Sequence, residues 1–108
     1  MKPAIWRAAA RSDAAEAAWW YAQEAGLAAG ERFLAAVEHG IDHLSRHPAI
    51  GSSRYAVALN LEGLRFWPLN GYPYLLLYVE LETHLDIWRV LHAQRDIPAW
   101  MAEPKESK

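Results

Sequence analysis

Four arginines, Arg54, Arg65, Arg89 and Arg95, fall in the part of the chain that reads as a sheet and its edges. Guanidinium groups make planar, bidentate contacts to carboxylates and phosphates. A metal-free ribonuclease needs such cations around the phosphate, with a base at the 2′-hydroxyl and an acid at the leaving oxygen. Arg65, Arg89 and Arg95 suit the cationic part. The bland alternative is that each arginine pairs locally with Glu62, Glu80, Asp86 or Asp96, or lays its stem over apolar surface, and this is the reading for Arg54. For Arg89, strict alternation along its strand puts it on the face of Leu85, Ile87 and Leu91, where an unpaired charge is costly. A structural ion pair and a target contact are both open for Arg89, and similarly for Arg65 and Arg95.

The five histidines raise the question of a metal. His39, His43 and His47 recur every four residues along one helical face, but a helical ladder offers two ligands to one ion and the third lies too far along the axis. No carboxylate pattern completes a site, so no metal and no cofactor are expected. These histidines read as partly exposed side chains near a helix C-terminus, where the dipole favours a cationic imidazole. His92 reads as a hydrogen-bonded structural residue. With no cysteine, disulfides, thiolate metal sites and a cysteine nucleophile are excluded. A Gly-rich phosphate loop, a Ser-His-Asp set and paired carboxylates are also missing, which argues against a small-molecule substrate.

The elements that must position these residues follow from pattern. Ala4 to Ala8 read as a short strand, and Ser12 as the cap of a helix over Asp13 to Ala25 that stops at Gly26. A second helix from Leu27 carries Phe33, Val37, Ile41 and Leu44 at steps of four, four and three, and ends at His47-Pro48. Such a short link makes the helices an antiparallel hairpin. Leu64 to Leu69, Tyr74 to Leu81 and Leu85 to Ala93 read as three antiparallel strands, separated by Asn70-Gly71 and Glu82-Thr83. Gly51 to Glu62 is left as a long loop. The expected fold is α+β, in the order β-α-α-β-β-β, with the hairpin on a mainly antiparallel, twisted four-stranded sheet. One domain is expected over residues 1–102, followed by a flexible polar tail at 103–108.

Eleven basic and thirteen acidic side chains give a net charge of −2, so no general attraction to polyanions exists and any nucleic-acid contact requires a local patch. The longest apolar run, Tyr72 to Leu81, is about half a membrane span of roughly 20 residues. No membrane segment or signal peptide is expected, and the cytoplasm is the expected compartment.

Several ordered motifs together resemble the RelE/ParE toxin superfamily, its ParE branch in particular: YAQEAG at Tyr21 to Gly26, IDHLSRHPAIG at Ile41 to Gly51, Gly63-Leu64-Arg65, Tyr72-Pro73-Tyr74, and RVLHAQRD at Arg89 to Asp96. The resemblance implies a toxin encoded beside a cognate antitoxin that wraps it. ParE-like members inhibit DNA gyrase without performing a reaction, whereas RelE-like members cleave messenger RNA on the ribosome. The resemblance further implies that a nuclease of the family carries additional basic residues and a tyrosine near the C-terminus. Here that region holds Trp100 and Met101, neither of which exchanges a proton usefully near neutral pH. The expectation is therefore a gyrase-binding toxin, with a ribosome-dependent endoribonuclease and a non-toxic, antitoxin-binding descendant as alternatives.

Six tryptophans exceed the needs of one small core, and surplus indoles mark contact surfaces. Adjacent Trp19 and Trp20 cannot face the same way on a helix, so one is expected under the sheet and the other at the antitoxin. Trp100 is expected to anchor the C-terminal segment. The residues assigned to binding the target or the antitoxin are Arg65, Arg89, Arg95, Trp20 and Trp100.

Overall fold

The computed structural model describes residues 1–95 and Ile97. Strand β1 (Ala4–Trp6) leads into helix α1 (Ala8–Ala25), helix α2 (Leu27–Arg46) and a short helix α3 (Arg54–Leu59), followed by strands β2 (Leu64–Pro68), β3 (Tyr74–Glu80) and β4 (Leu85–His92). The strands form one sheet in the order β1-β4-β3-β2. β1 runs parallel to β4, and the other two pairings are antiparallel. The expected α+β hairpin-on-sheet arrangement is the one observed.

Two turns set the antiparallel register. Gly71 takes a positive φ of 84° between β2 and β3, a conformation that glycine adopts without a Cβ clash. Leu81 N–H donates to His84 O at 2.8 Å between β3 and β4. At the outer edge of β2, Phe66 exchanges two 2.9 Å backbone bonds with Ser52, and Pro68 has no N–H to offer. The edge is thereby closed to further strand pairing.

The hairpin turns at Gly26, whose φ of 98° ends α1 while its N–H donates to Ala22 O. The stripe Phe33, Val37, Ile41 and Leu44 is buried, together with Leu76, Tyr78 and Ile87 of the sheet. Each large side chain fully withdrawn from water contributes roughly 1.5–3 kcal/mol. The opposite face of the sheet carries a second cluster, Leu64, Leu75, Leu77, Leu91 and Ile97, partly covered by Tyr55 and Leu59 of α3.

Four local expectations are corrected. Ser12 does not cap α1, which begins directly after β1 at Ala8 and runs through it. The segment from Gly51 to Glu62 is no plain loop, because α3 lies within it to shelter the outer cluster. Strict alternation fails in β4: a bulge pairs Leu77 with Arg89 but Tyr78 with Ile87, leaving Trp88 as an extra residue. Leu85 and Ile87 accordingly pack under the helices and Leu91 in the outer cluster, so Arg89 does not share one face with all three. Trp19 and Trp20 are both exposed, at 66% and 52%. The buried face of α1 there is Ala17 and Ala18, which bring the helix too close to its neighbours for an indole to fit beneath.

This close approach is testable at Gly30. A Cβ there would sit 2.6 Å from the Ala18 carbonyl oxygen and 3.2 Å from Ala22 Cβ. Alanine gains about 1 kcal/mol over glycine in helix propensity, but the clash is with backbone and forces the helices apart, at about 1–3 kcal/mol. Gly30→Ala is expected to lower stability in urea unfolding; a stabilised variant would refute the packing.

Candidate functional site

β1 ends too early to cover all of β4. Its last rung is Arg7 N–H to Ile87 O at 2.9 Å, and beyond that point α1 passes along the strand. Asp13 takes over the role of a strand partner. Its carboxylate accepts from Val90 N–H at 3.0 Å, from Arg89 Nε at 2.7 Å and from Arg89 Nη2 at 2.9 Å. The two side chains are only 6% and 5% exposed. A buried guanidinium with a bidentate carboxylate is electrically neutral and geometrically fixed. Arg89 is therefore built into the fold as the fastener between α1 and β4. Sequence reasoning missed Asp13 as its partner, although a signal existed: Asp13 lies in the buried stripe Ala9, Ala10, Ala14, Ala17 and Ala18, the single charge on an otherwise alanine face.

The other arginines lie elsewhere. Arg65 on β2 is half-buried and donates from Nη1 to Gly51 O at 2.8 Å. Beside it the Tyr78 hydroxyl donates to Pro48 O at 2.7 Å and accepts from Gly51 N–H at 3.1 Å, so Arg65 and Tyr78 together hold the chain that leaves α2. Arg54 lies over the Tyr55 and Phe66 rings at 5.1 and 5.6 Å. Arg95 stands beside a concave surface.

That surface is a groove of about 440 Å³ between the C-terminal half of α1 and the ends of β3 and β4. Its α1 wall carries Glu16, Ala17 and Trp20, and its sheet wall Tyr74, His92 and Arg95, with Asp13 also on its lining. The rings are held in place: Trp20 is edge-on to Tyr21 at 5.0 Å, and Tyr74 is edge-on to His92 at 5.1 Å and to Phe33 at the same distance. Gln94 N–H donates to His92 Nδ1 at 3.1 Å, so the neutral ring carries its hydrogen on Nε2 and offers a donor there. Arg95 is set by the same turn, its N–H donating to His92 O at 3.0 Å. Burial raises the Tyr74 hydroxyl above its ordinary range, an effect tempered by the Arg95 charge. Burial raises Tyr21 as well, helped by Tyr74 and Tyr72. Both phenols keep their protons at neutral pH, and the sheet wall presents hydrogen-bond donors.

The groove joins two of the assigned binding residues, Trp20 and Arg95. Arg89 lies behind its partner Asp13, and Arg65, on β2, is not in the lining. Trp100 and the tail at 103–108 lie outside the described residues. Of the histidine ladder, His43 packs against Trp67 at 5.3 Å, and no group of three metal-ligating side chains occurs among the described residues. No helix among them is long and apolar enough to cross a membrane.

A hairpin of helices on a four-stranded mixed sheet defines a class of fold also found in the structure of a chromosomal ParDE toxin-antitoxin system from P. aeruginosa. The two chains share 16% sequence identity and superpose with a TM-score of 0.73 over 87% of this chain and 98% of that one. No curated protein matches the chain. Residues 4–97 match the family described as the ParE toxin of the type II toxin-antitoxin system, parDE, and the chain belongs to that family.

Removing the carboxylate of Asp13 leaves a buried, uncompensated charge on Arg89. Asp13→Ala is expected to cost about 3–5 kcal/mol, and the double variant Asp13→Ala/Arg89→Met to recover much of that loss in urea unfolding. Equal losses in the single and double variants would contradict the fastener. The tyrosines give a second check. Burial holds Tyr78 above the ordinary value of 10.0, with the Gly51 N–H acting in the opposite sense. A folded value raised above the unfolded one means a stability contribution that is complete below pH 10.0 and lost as the pH climbs through the folded value. Unfolding followed on either side of that pH is expected to show the decline, and Tyr78→Phe to flatten it.

Proposed function

We propose that this chain is the toxin of a type II toxin-antitoxin pair, acting in the cytoplasm by occupying a macromolecular target and performing no reaction. DNA gyrase is the proposed target, and an antitoxin encoded by the adjacent gene the proposed silencing partner. The observation that carries this reading is the groove beside Trp20: an exposed indole braced on α1 faces a wall lined by Tyr74, His92 and Arg95, the kind of aromatic-rich surface that dominates protein interfaces. Its chemistry favours holding over proton transfer. The two phenols stay protonated, His92 accepts a backbone hydrogen bond on Nδ1, and the Asp13 carboxylate is engaged by Arg89 and Val90. A ribonuclease needs a base that is open to accept a proton; the sheet wall supplies donors instead, and the open carboxylate of the groove, Glu16, lies on the opposite wall. Family membership and the ParDE-like fold support the antitoxin partner.

Inducible expression in a bacterial host, with pulse labelling of DNA and protein synthesis, tests the reading. Arrest of replication with loss of supercoiling in a purified gyrase assay is expected. Early translation arrest with cleaved messages would replace it with the ribosome-dependent endoribonuclease, and absence of any growth defect with the inert descendant. Trp20→Ala and Arg95→Ala, both at exposed positions, are each expected to weaken target binding about tenfold, the factor corresponding to about 1.4 kcal/mol. Full toxicity in both variants would place the contact surface elsewhere.

A further inference from the structure

We infer that Asn70, in the turn between β2 and β3, is a site of spontaneous deamidation, converting through a cyclic imide to aspartate and isoaspartate while the chain is folded. The inference is independent of the groove and of any target. The chain has two asparagines, Asn60 and Asn70, and asparagine is among the chemically labile side chains. The reaction requires the backbone nitrogen of the next residue to reach the side-chain carbonyl carbon. It is therefore governed by what that nitrogen and that carboxamide are already bonded to.

The two positions differ in each respect. Asn60 takes the left-handed conformation at the end of α3, with φ 53° and ψ 43°, and the nitrogen that follows it belongs to Leu61, whose N–H donates to Ala56 O at 2.9 Å. That nitrogen is held in place and stands behind a branched side chain. Asn70 and Gly71 are both exposed. Among the described residues, neither the Asn70 carboxamide nor the Gly71 N–H has a hydrogen-bond partner. A Cβ placed at Gly71 would meet nothing within 4 Å, so solvent reaches both groups, and residue 71 has no side chain to obstruct ring closure. The turn is closed outside this pair, by Leu69 N–H donating to Tyr74 O at 2.9 Å, which leaves the residues between them room to adjust.

The chemistry needs only water. The Gly71 nitrogen loses its proton to solvent and bonds to Asn70 Cγ; the Cγ–Nδ2 bond breaks, and the nitrogen leaves as ammonia, taking a proton back from solvent. Water then opens the imide, at Cγ to give aspartate or at the backbone carbonyl to give isoaspartate. Either product adds a negative charge to a chain of net charge −2, in the hollow that Asn70 shares with His39, His43 and Trp67. Isoaspartate also puts an extra backbone carbon into the turn that spaces β2 from β3.

The test keeps the purified, folded chain in slightly alkaline buffer made with heavy-oxygen water, then digests it in ordinary water. Cleavage after Arg54, Arg65 and Arg89 places the two asparagines on separate peptides for mass spectrometry. The Asn70 peptide is expected to change from amide to acid with the label incorporated, isoaspartate among its products, at least about tenfold faster than the Asn60 peptide. Asn70→Gln, at an exposed side chain without partners, is expected to stop the change on that peptide and to leave urea unfolding unaltered. Comparable rates at the two asparagines, labelled product without isoaspartate, or conversion more than about tenfold slower in the folded chain than in urea, would each overturn the inference.

Discussion

The structure depends on one carboxylate doing the work of a strand. β1 covers β4 only as far as Ile87, and past that rung the backbone of β4 needs another partner, because a buried N–H without one costs about 1–3 kcal/mol. Asp13 supplies it for Val90 and in the same step neutralises Arg89. Neither charge would be tolerable at this depth alone. The pair therefore fixes the height of α1 along β4, and with it the distance between Trp20, seven residues further along the helix, and the His92–Arg95 turn at the end of the strand.

Alanine packing carries that constraint outward. Because the face of α1 toward the sheet and α2 is made of alanines, with Gly30 at the crossing, the helices lie close and large side chains have no place between them. The indoles of Trp19 and Trp20 are left at the surface as a result. Trp20 is then braced by Tyr21, which stacks on Phe33 and meets Tyr72 edge-on. An exposed ring held in this way loses little conformational freedom on meeting a partner, which favours tight contact over a mobile one.

Much of the frame was legible in the sequence. Gly26, the Phe33–Val37–Ile41–Leu44 stripe, Pro48 and Asn70-Gly71 are local signals, and local signals survive folding. What escaped depends on contacts between distant segments. The bulge at Trp88 is decided by the pairing of β3 with β4, and one extra residue exchanges the faces of everything after it, so alternation counted from Leu85 misplaced both Arg89 and Leu91 relative to Leu85 and Ile87. α3 exists because the outer cluster needs a cover, which a six-residue segment, RYAVAL, does not announce. At the site, Trp20 and Arg95 were singled out for residue type alone. The sequence could not show that they share a groove, nor that Arg65 is tied to Gly51 and Arg89 to Asp13. Those ties are made by positions 14 and 76 residues apart in the chain.

Sequence reasoning counted arginines as a supply of positive charge, and the fold changes what that count means. A guanidinium closed against a buried carboxylate contributes shape and rigidity but almost no field. A guanidinium stacked on Tyr55 and Phe66, as Arg54 is, acts chiefly through its flat face. At the groove Arg95 and Glu16 bring opposite charges to the two walls, so attraction there is short-ranged and decided by fit. A surface of that kind discriminates among partners by the placement of single groups, because a misplaced carboxylate or an empty indole face is felt at contact and not before. That physical character, more than the number of cations, separates a protein that recognises by occupancy from one that gathers a polyanion for cleavage.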